Sequence, residues 1–302
     1  MALARVITLL ERDPVAAGAL DAAMAPHGGR GYTVGITGAP GAGKSTLVGA
    51  MLREALVADQ RVAVLALDPR SPLTRGAILG DRLRMDHAAG DPRVFVRSMT
   101  ADPGSGGLSL LTPLVLRALE AAGWPCVLLE TVGVGQVELD VVQAAATTVV
   151  VMNPGAGDEI QATKAGLMEV ADVFVLNKCD RPGADEARRD LEQLSATVRA
   201  DGWQPPVVAT NAQDGMGVAE VWSAIARHRA HLESGSGWQR WRERFVSMAL
   251  HALLRHELER RLDALMCSKA CRDRVAALAR GEGGLHEARD ALLTSQGVPI
   301  LG

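Results

Sequence analysis

The run Gly38-Ala39-Pro40-Gly41-Ala42-Gly43-Lys44-Ser45-Thr46 has the spacing of a phosphate-binding loop: a glycine, four residues, then Gly-Lys-Ser. The residue types suit that task. Glycines let the backbone turn so that amide N–H groups point inward at an anion, and a helix starting there adds the positive end of its dipole. Lys44 offers a cation to the β- and γ-phosphates, and the Ser45 hydroxyl offers a ligand to magnesium. Gly38, Ala39, Gly41, Ala42, Gly43 and Thr46 complete the expected phosphate contacts. The competing reading is an ordinary Gly-rich turn before a helix. The complete match, with a strand-like 32–37 before it and helical spacing from Thr46 onward, weighs against that.

A second cluster, Asn177-Lys178-Cys179-Asp180, follows the apolar run 173–176. The carboxylate of Asp180 can accept from both the ring N1–H and the exocyclic amino group of guanine, donors that adenine lacks in those places. Hydrogen bonds to a charged group are worth about 1.5–3 kcal/mol each. A site built around them rejects the wrong base by roughly 10⁴-fold. The Lys178 stem can lie over the base and Asn177 can brace the loop. Thr210-Asn211-Ala212 stands where a backbone N–H would meet the guanine carbonyl oxygen. The two clusters together favour GTP over ATP.

Asp68 and Glu130 each end a buried strand, and one of them must serve the magnesium ion, directly or through water. For Asp68 the alternative is a turn residue before Pro69. In Glu130-Thr131-Val132-Gly133-Val134-Gly135-Gln136, Gly133 can present a backbone N–H to the γ-phosphate. Many GTPases place a water-orienting Gln directly after that glycine. Here the position is Val134, and Gln136 is two residues late, which predicts slow hydrolysis by the chain alone and stimulation by a partner.

These residues need a frame that sets them at one edge. Strand-like runs at 32–37, 61–67, 94–96, 126–130, 147–152, 173–176 and 207–209 alternate with helical stretches, which predicts an α/β fold. Its sheet would be mostly parallel with helices on both faces. Ligands bind such sheets at the carboxyl ends of the strands. Residues 2–25 read as helical with a break near Pro14, within an N-terminal segment 1–30. The nucleotide-binding domain is expected over 31–233. After Ser234-Gly235-Ser236-Gly237 the alternation stops, and a C-terminal helical arm, 234–302, follows. Its first helix, 238–266, carries Trp241, Phe245, Met248, Ala252, Leu258, Leu262 and Leu265 near one side. That stripe suits packing on its own domain or, given the hinge and the length, a homodimer interface.

The 302 residues suffice for one large domain with appendages, and a net charge of −3 gives no reason to invoke nucleic acid or an anionic membrane. No run approaches the ~18–20 apolar residues of a membrane span, and the charged N-terminus does not read as a signal peptide. Of the four cysteines only Cys267 and Cys271 have close spacing, without a second pair for zinc. Reduced thiols in a cytoplasmic protein are the simpler expectation.

The chain resembles the GTPase chaperones of cobalamin-dependent acyl-CoA mutases, the MeaB, MMAA or ArgK type. The resemblance rests on 38–46, Asp68-Pro69, Ile78-Leu79-Gly80-Asp81, 130–136 with Glu138, Pro154 to Gln161, and 177–180. It implies a P-loop NTPase of the SIMIBI-like class with a C-terminal dimerisation arm. It implies GTP/GDP and Mg2+ as ligands, with adenosylcobalamin reached only through the partner mutase. The implied role is to gate delivery of that cofactor and protect the mutase, with an adenosyltransferase as a further candidate partner. Magnesium-site acids fall on Asp68, Asp81 and Glu130, and a mobile loop on 155–164 offers Lys164 for charge stabilisation during hydrolysis, unless Lys164 is simply a solvated helix residue. Arg70, Arg75 and the 102–104 segment depart from the family pattern, all within expected switch loops. Arg70, Arg75, Arg82 and Arg84 fit either a partner-contacting cluster or a solvated loop.

Two other readings share the phosphate loop. A small-molecule kinase would need an acceptor pocket with a base beside the γ-phosphate, and guanine selectivity argues against it. A nickel-insertion GTPase would want a Cys/His cluster near the switches, where only Cys126 and Cys179 are available.

Overall fold

The computed structural model describes residues 2–12, 14–69, 90–101, 112–131, 137–155, 170–196, 199 and 201–295. Residues 2, 11–12, 14–16, 68–69, 100–101, 137–140 and 295 are described by backbone alone. Two helices open the chain, α1 (Ala2–Arg12) and α2 (Pro14–Met24), and Pro14 begins the second. A proline is tolerated in a helix's first turn because its missing N–H has no partner there to lose.

The centre is a sheet of seven strands: β1 (Tyr32–Thr37), β2 (Val62–Pro69), β3 (Val94–Ala101), β4 (Cys126–Thr131), β5 (Thr147–Met152), β6 (Val173–Asn177) and β7 (Val207–Thr210). Their order is β3-β2-β4-β1-β5-β6-β7, and every neighbouring pair is parallel. The sheet is therefore wholly parallel among the described strands. All residues of β1, β5 and β6 are buried. Since successive side chains point to opposite faces, both faces of these strands are covered.

Among the described residues the covering helices are α3 (Lys44–Val57), α4 (Thr112–Ala121), α5 (Val137–Ala144), α6 (Ala184–Ser195) and α7 (Val218–Ser234). Gly35, in the middle of β1, lets α5 approach closely. A Cβ there would sit 2.8 Å from Val141 Cγ1 and 2.9 Å from Ala145 Cβ. β1 lies between β4 and β5, so the loop after β1 opens at the point where chain connections run to opposite sides.

The described residues close with three helices: α8 (Gly237–Met266), α9 (Lys269–Ala279) and α10 (Leu285–Ser295). Contacts divide the chain into two compact units, 1–249 and 250–302, and the division falls inside α8. In the first unit, Trp241 and Phe245 are buried in the main core, and Trp238 stacks on Tyr32 at 5.8 Å between ring centroids. Arg242 Nη1 bonds Glu120 Oε1 at 2.7 Å, and that same oxygen accepts from the Gly31 N–H. In the second unit, Leu250, Leu253, Leu254, Leu258, Leu262 and Met266 of α8 are exposed. The expected stripe thus splits. Its start is core, while Leu258 and Leu262 face outward.

Candidate nucleotide site

The loop between β1 and α3 turns through glycines that nothing larger can replace. Gly38 has φ 136°, and a Cβ there would fall 2.0 Å from the Val151 carbonyl oxygen. Gly43 has φ 94°, and its added Cβ would fall 2.3 Å from Asn177 Nδ2. Both are in the left-handed region, where side chains with a Cβ are strained. No side chain caps α3 at Gly43, which leaves the helix start suited to an anion. Lys44 is buried, and its Nζ donates to the carbonyl oxygens of Gly38 at 2.7 Å and Ala39 at 3.0 Å. The ammonium is thereby fixed inside the loop it is expected to serve.

Ser45 lies one residue further into α3, and its hydroxyl donates to Glu130 Oε1 at 2.5 Å. Glu130 is buried near the end of β4, in register with Ile36 of β1 and Ala66 of β2. A hydroxyl and a carboxylate in contact at a helix start are hard oxygen donors of the kind magnesium takes, so this pair fits that ion. The backbone of Asp68 lies two residues beyond Ala66 at the same edge, and its side chain is outside the described residues.

The second cluster closes on the first. Asn177 ends β6 and is buried. Its Nδ2 donates to the Ala42 carbonyl at 2.9 Å, and its Oδ1 accepts from Thr210 Oγ1 at 3.2 Å and from the Ala212 N–H at 3.1 Å. One side chain thus joins the loops after β1, β6 and β7. Lys178 takes a left-handed backbone, φ 59°, and its Nζ donates to the Gly41 carbonyl at 2.6 Å. Its stem therefore spans toward the phosphate loop. Asp180 is exposed and has no ion pair among the described residues. Asn211 shapes its own turn: its Nδ2 donates to Asp214 Oδ2 at 2.6 Å, and its Oδ1 accepts from the Gln213 N–H at 3.2 Å.

The structure therefore brings Gly38, Ala39, Gly41, Ala42, Lys44, Ser45, Glu130, Asn177, Lys178 and Ala212 into one hydrogen-bonded constellation, with Gly43 packed against Asn177. Thr46 belongs to the first turn of α3, and Asn211 and Asp180 stand in the flanking turns. Asp81, Gly133, Gln136 and Lys164 lie outside the described residues, as do Arg70, Arg75, Arg82, Arg84 and 102–104. Sequence reasoning missed the role of Ala212 as a donor to Asn177. An amide can share its hydrogen between two acceptors, so a guanine oxygen would compete with Asn177 for it. Nothing in the local sequence signals that bond, because its partners are 35 residues apart.

A parallel sheet with this loop after its central strand, and the Asn177-Lys178-Cys179-Asp180 loop after β6 bonded to it, fits a P-loop GTPase. A model of the family described as "Methylmalonyl Co-A mutase-associated GTPase MeaB" matches residues 3–266, and the chain belongs to that family. A protein of Pyrococcus abyssi named as a GTPase is 48% identical over 236 residues, covering 77% of this chain and 73% of its own. "GTPase ArgK" of Escherichia coli is 38% identical over 255 residues, covering 80% and 76%. A solved structure titled as a LAO/AO transport system kinase superposes with a TM-score of 0.67 at 28% identity, covering 98% of this chain and 93% of that one.

Proposed function

We propose that this GTPase holds guanosine triphosphate with its phosphates in the 38–46 loop and its base against Asp180, and uses it to gate adenosylcobalamin transfer to an acyl-CoA mutase. The observation that carries the nucleotide part is the Asn177 side chain, which joins the phosphate loop to both base-side loops. Two loops far apart in sequence are thereby fixed at one spacing, as a nucleotide that touches both requires.

Lys44 neutralises the β- and γ-phosphates, Ser45 and Glu130 hold Mg2+ with Asp68 or Asp81, and Gly133 and Lys164 act on the γ-phosphate during hydrolysis. Bound magnesium supplies neutralisation of the charge that develops on the phosphates. Hydrolysis is slow in the isolated chain because Val134 stands where a water-orienting Gln would be. The mutase completes the site.

The mutase partner is supported by the family's description and by a mouse relative named "Methylmalonic aciduria type A homolog, mitochondrial", 36% identical over 214 residues, covering 68% of this chain and 51% of its own. No helix among the described residues is long and apolar enough to cross a membrane. The chain works as a homodimer through its C-terminal arm, a reading supported by exposed Leu250, Leu254, Leu258, Leu262 and Met266 at one-turn spacing on α8.

The test is calorimetry with GTP, GDP and ATP, followed by phosphate release with and without a cobalamin-loaded acyl-CoA mutase. Guanine nucleotides should bind at least a hundredfold tighter than ATP, and the mutase should raise turnover. Equal binding of ATP, or fast turnover by the chain alone, would overturn the reading.

A further inference from the structure

At the opposite edge of the sheet, where β5 and β6 begin, a cavity of about 550 Å³ opens between the sheet, α7 and the start of α8. Strands of six residues run ~20 Å, so this cavity is well separated from the loops after β1 and β6. Its wall carries Arg199, Arg240, Arg244, Asp172, His228 and Trp241.

The charges there are unevenly matched. Asp172 is fully committed: its Oδ2 accepts from the Thr148 N–H at 2.7 Å, and its Oδ1 pairs with Arg199 Nη1 at 2.7 Å. Asp201 also lies 3.8 Å from Arg199. Arg240 and Arg244 have no carboxylate partner among the described residues. Arg240 Nη1 donates to the neutral Ser236 hydroxyl at 2.5 Å, and Arg244 Nη2 reaches the Ala145 carbonyl only at 3.5 Å. Loss of water holds the Arg244 pKa below its ordinary value, with Asp172 opposing that shift and Arg199 adding to it. Trp241 is only 5% exposed, and its indole Nε1–H has no hydrogen-bond partner among the described residues. A buried donor without an acceptor costs about 1–3 kcal/mol.

Two arginines without carboxylates on one concave wall lack the same thing, an acceptor-rich anion. We infer that this cavity binds a small organic oxyanion, a carboxylate or phosphate ester, held by the guanidinium forks of Arg240 and Arg244. The volume is in the range of small-molecule sites. Planar guanidinium groups match carboxylate and phosphate oxygens two at a time. The acids in the wall are already engaged with Arg199, so they repel an incoming anion less than free carboxylates would.

The test titrates the full chain with succinate and, separately, inorganic phosphate, followed by calorimetry and tryptophan fluorescence. At least one should bind with a dissociation constant below about 1 mM. Binding of succinate alone, phosphate alone or both that persists in Lys44→Ala identifies the oxyanion class and supports the site. The Arg240→Met/Arg244→Met double variant should weaken binding at least tenfold, while Lys44→Ala should leave it unchanged. The second comparison separates this cavity from the phosphate loop and from any failure of the nucleotide reading. Should the double variant not fold, Arg240→Gln, at an exposed position, should still weaken binding about threefold or more. Binding of neither anion below about 1 mM, binding unaffected by the arginine changes, or binding lost only in Lys44→Ala would each overturn the inference.

Discussion

The Asn177 amide nitrogen sits 2.9 Å from the Ala42 carbonyl oxygen, joining residues 135 apart in the chain. The oxygen of the same amide accepts from Thr210 and Ala212. An amide that uses both ends in this way can be replaced by neither a carboxylate, which cannot donate, nor a hydroxyl, which cannot reach both sides. The bonds are buried, so an unsatisfied partner loses water as well as its bond.

Asn177→Ala should therefore loosen three loops at once. GTP and GDP affinity should fall about 10–100-fold, and stability should fall by about 2–4 kcal/mol. Calorimetry and a thermal melt measure the two effects separately. A variant that binds and melts like the parent would show that the three-loop junction is incidental.

Asp180 is exposed and unpaired with any cation among the described residues, so it can be changed with little effect on the fold. Asp180→Asn should weaken GTP by roughly 100-fold and improve a xanthine nucleotide, whose ring offers an acceptor where guanine offers a donor. Unchanged GTP affinity would remove the base-reading role. Lys44→Ala is the complementary change at the phosphate end and should abolish nucleotide binding.

Glu130 accepts from Ser45 at 2.5 Å, so its charge bears on the magnesium ion we propose there. Glu130→Gln keeps the size and the acceptor but removes the charge. Magnesium-dependent GTP hydrolysis should fall about 100-fold, with GDP affinity measured without metal changed less than tenfold. Phosphate release across a magnesium titration checks this. Retention of full activity at low magnesium would count against the assignment.

Below β5 and β6, His228 Nε2 lies 3.4 Å from Asp172 Oδ1, and burial drives the two groups in opposite directions. His228 is pushed down to about 4, chiefly by burial, with Arg199 and His231 adding to it. Asp172 is pushed up to about 6 by burial, with Arg199 opposing. As pH falls from about 6.5 to 4, the unfolded chain gains a proton on its histidine that the folded chain refuses, which destabilises the fold. Over nearly the same window the folded Asp172 takes up a proton before the unfolded one does, which stabilises it. The two effects offset each other. Asp172→Asn removes the compensating group, so its deficit relative to the parent should grow by about 2 kcal/mol between pH 7 and pH 4.5. Urea denaturation at the two pH values measures it, and a constant deficit would show that Asp172 does not titrate in this way.

The sequence by itself determined the local chemistry and much of the frame. The phosphate loop was legible because Gly38, Gly43, Lys44 and Ser45 occupy fixed offsets within one turn, and the strands because apolar runs such as 147–152 are buried on both faces. Tertiary structure alone decided the pairing order that puts β4 between β1 and β2, the 2.9 Å contact of Asn177 with Ala42, and the meeting of Ser45 with Glu130 across 85 residues. It also divided the long apolar stripe of α8, burying Trp241 and Phe245 while leaving Leu258 and Leu262 exposed. Periodicity records which residues share a helix face, but burial depends on what the rest of the chain brings against that face. The same holds for the arginine-lined cavity: its members come from 142 to 244, and no spacing in the sequence foretells that they converge.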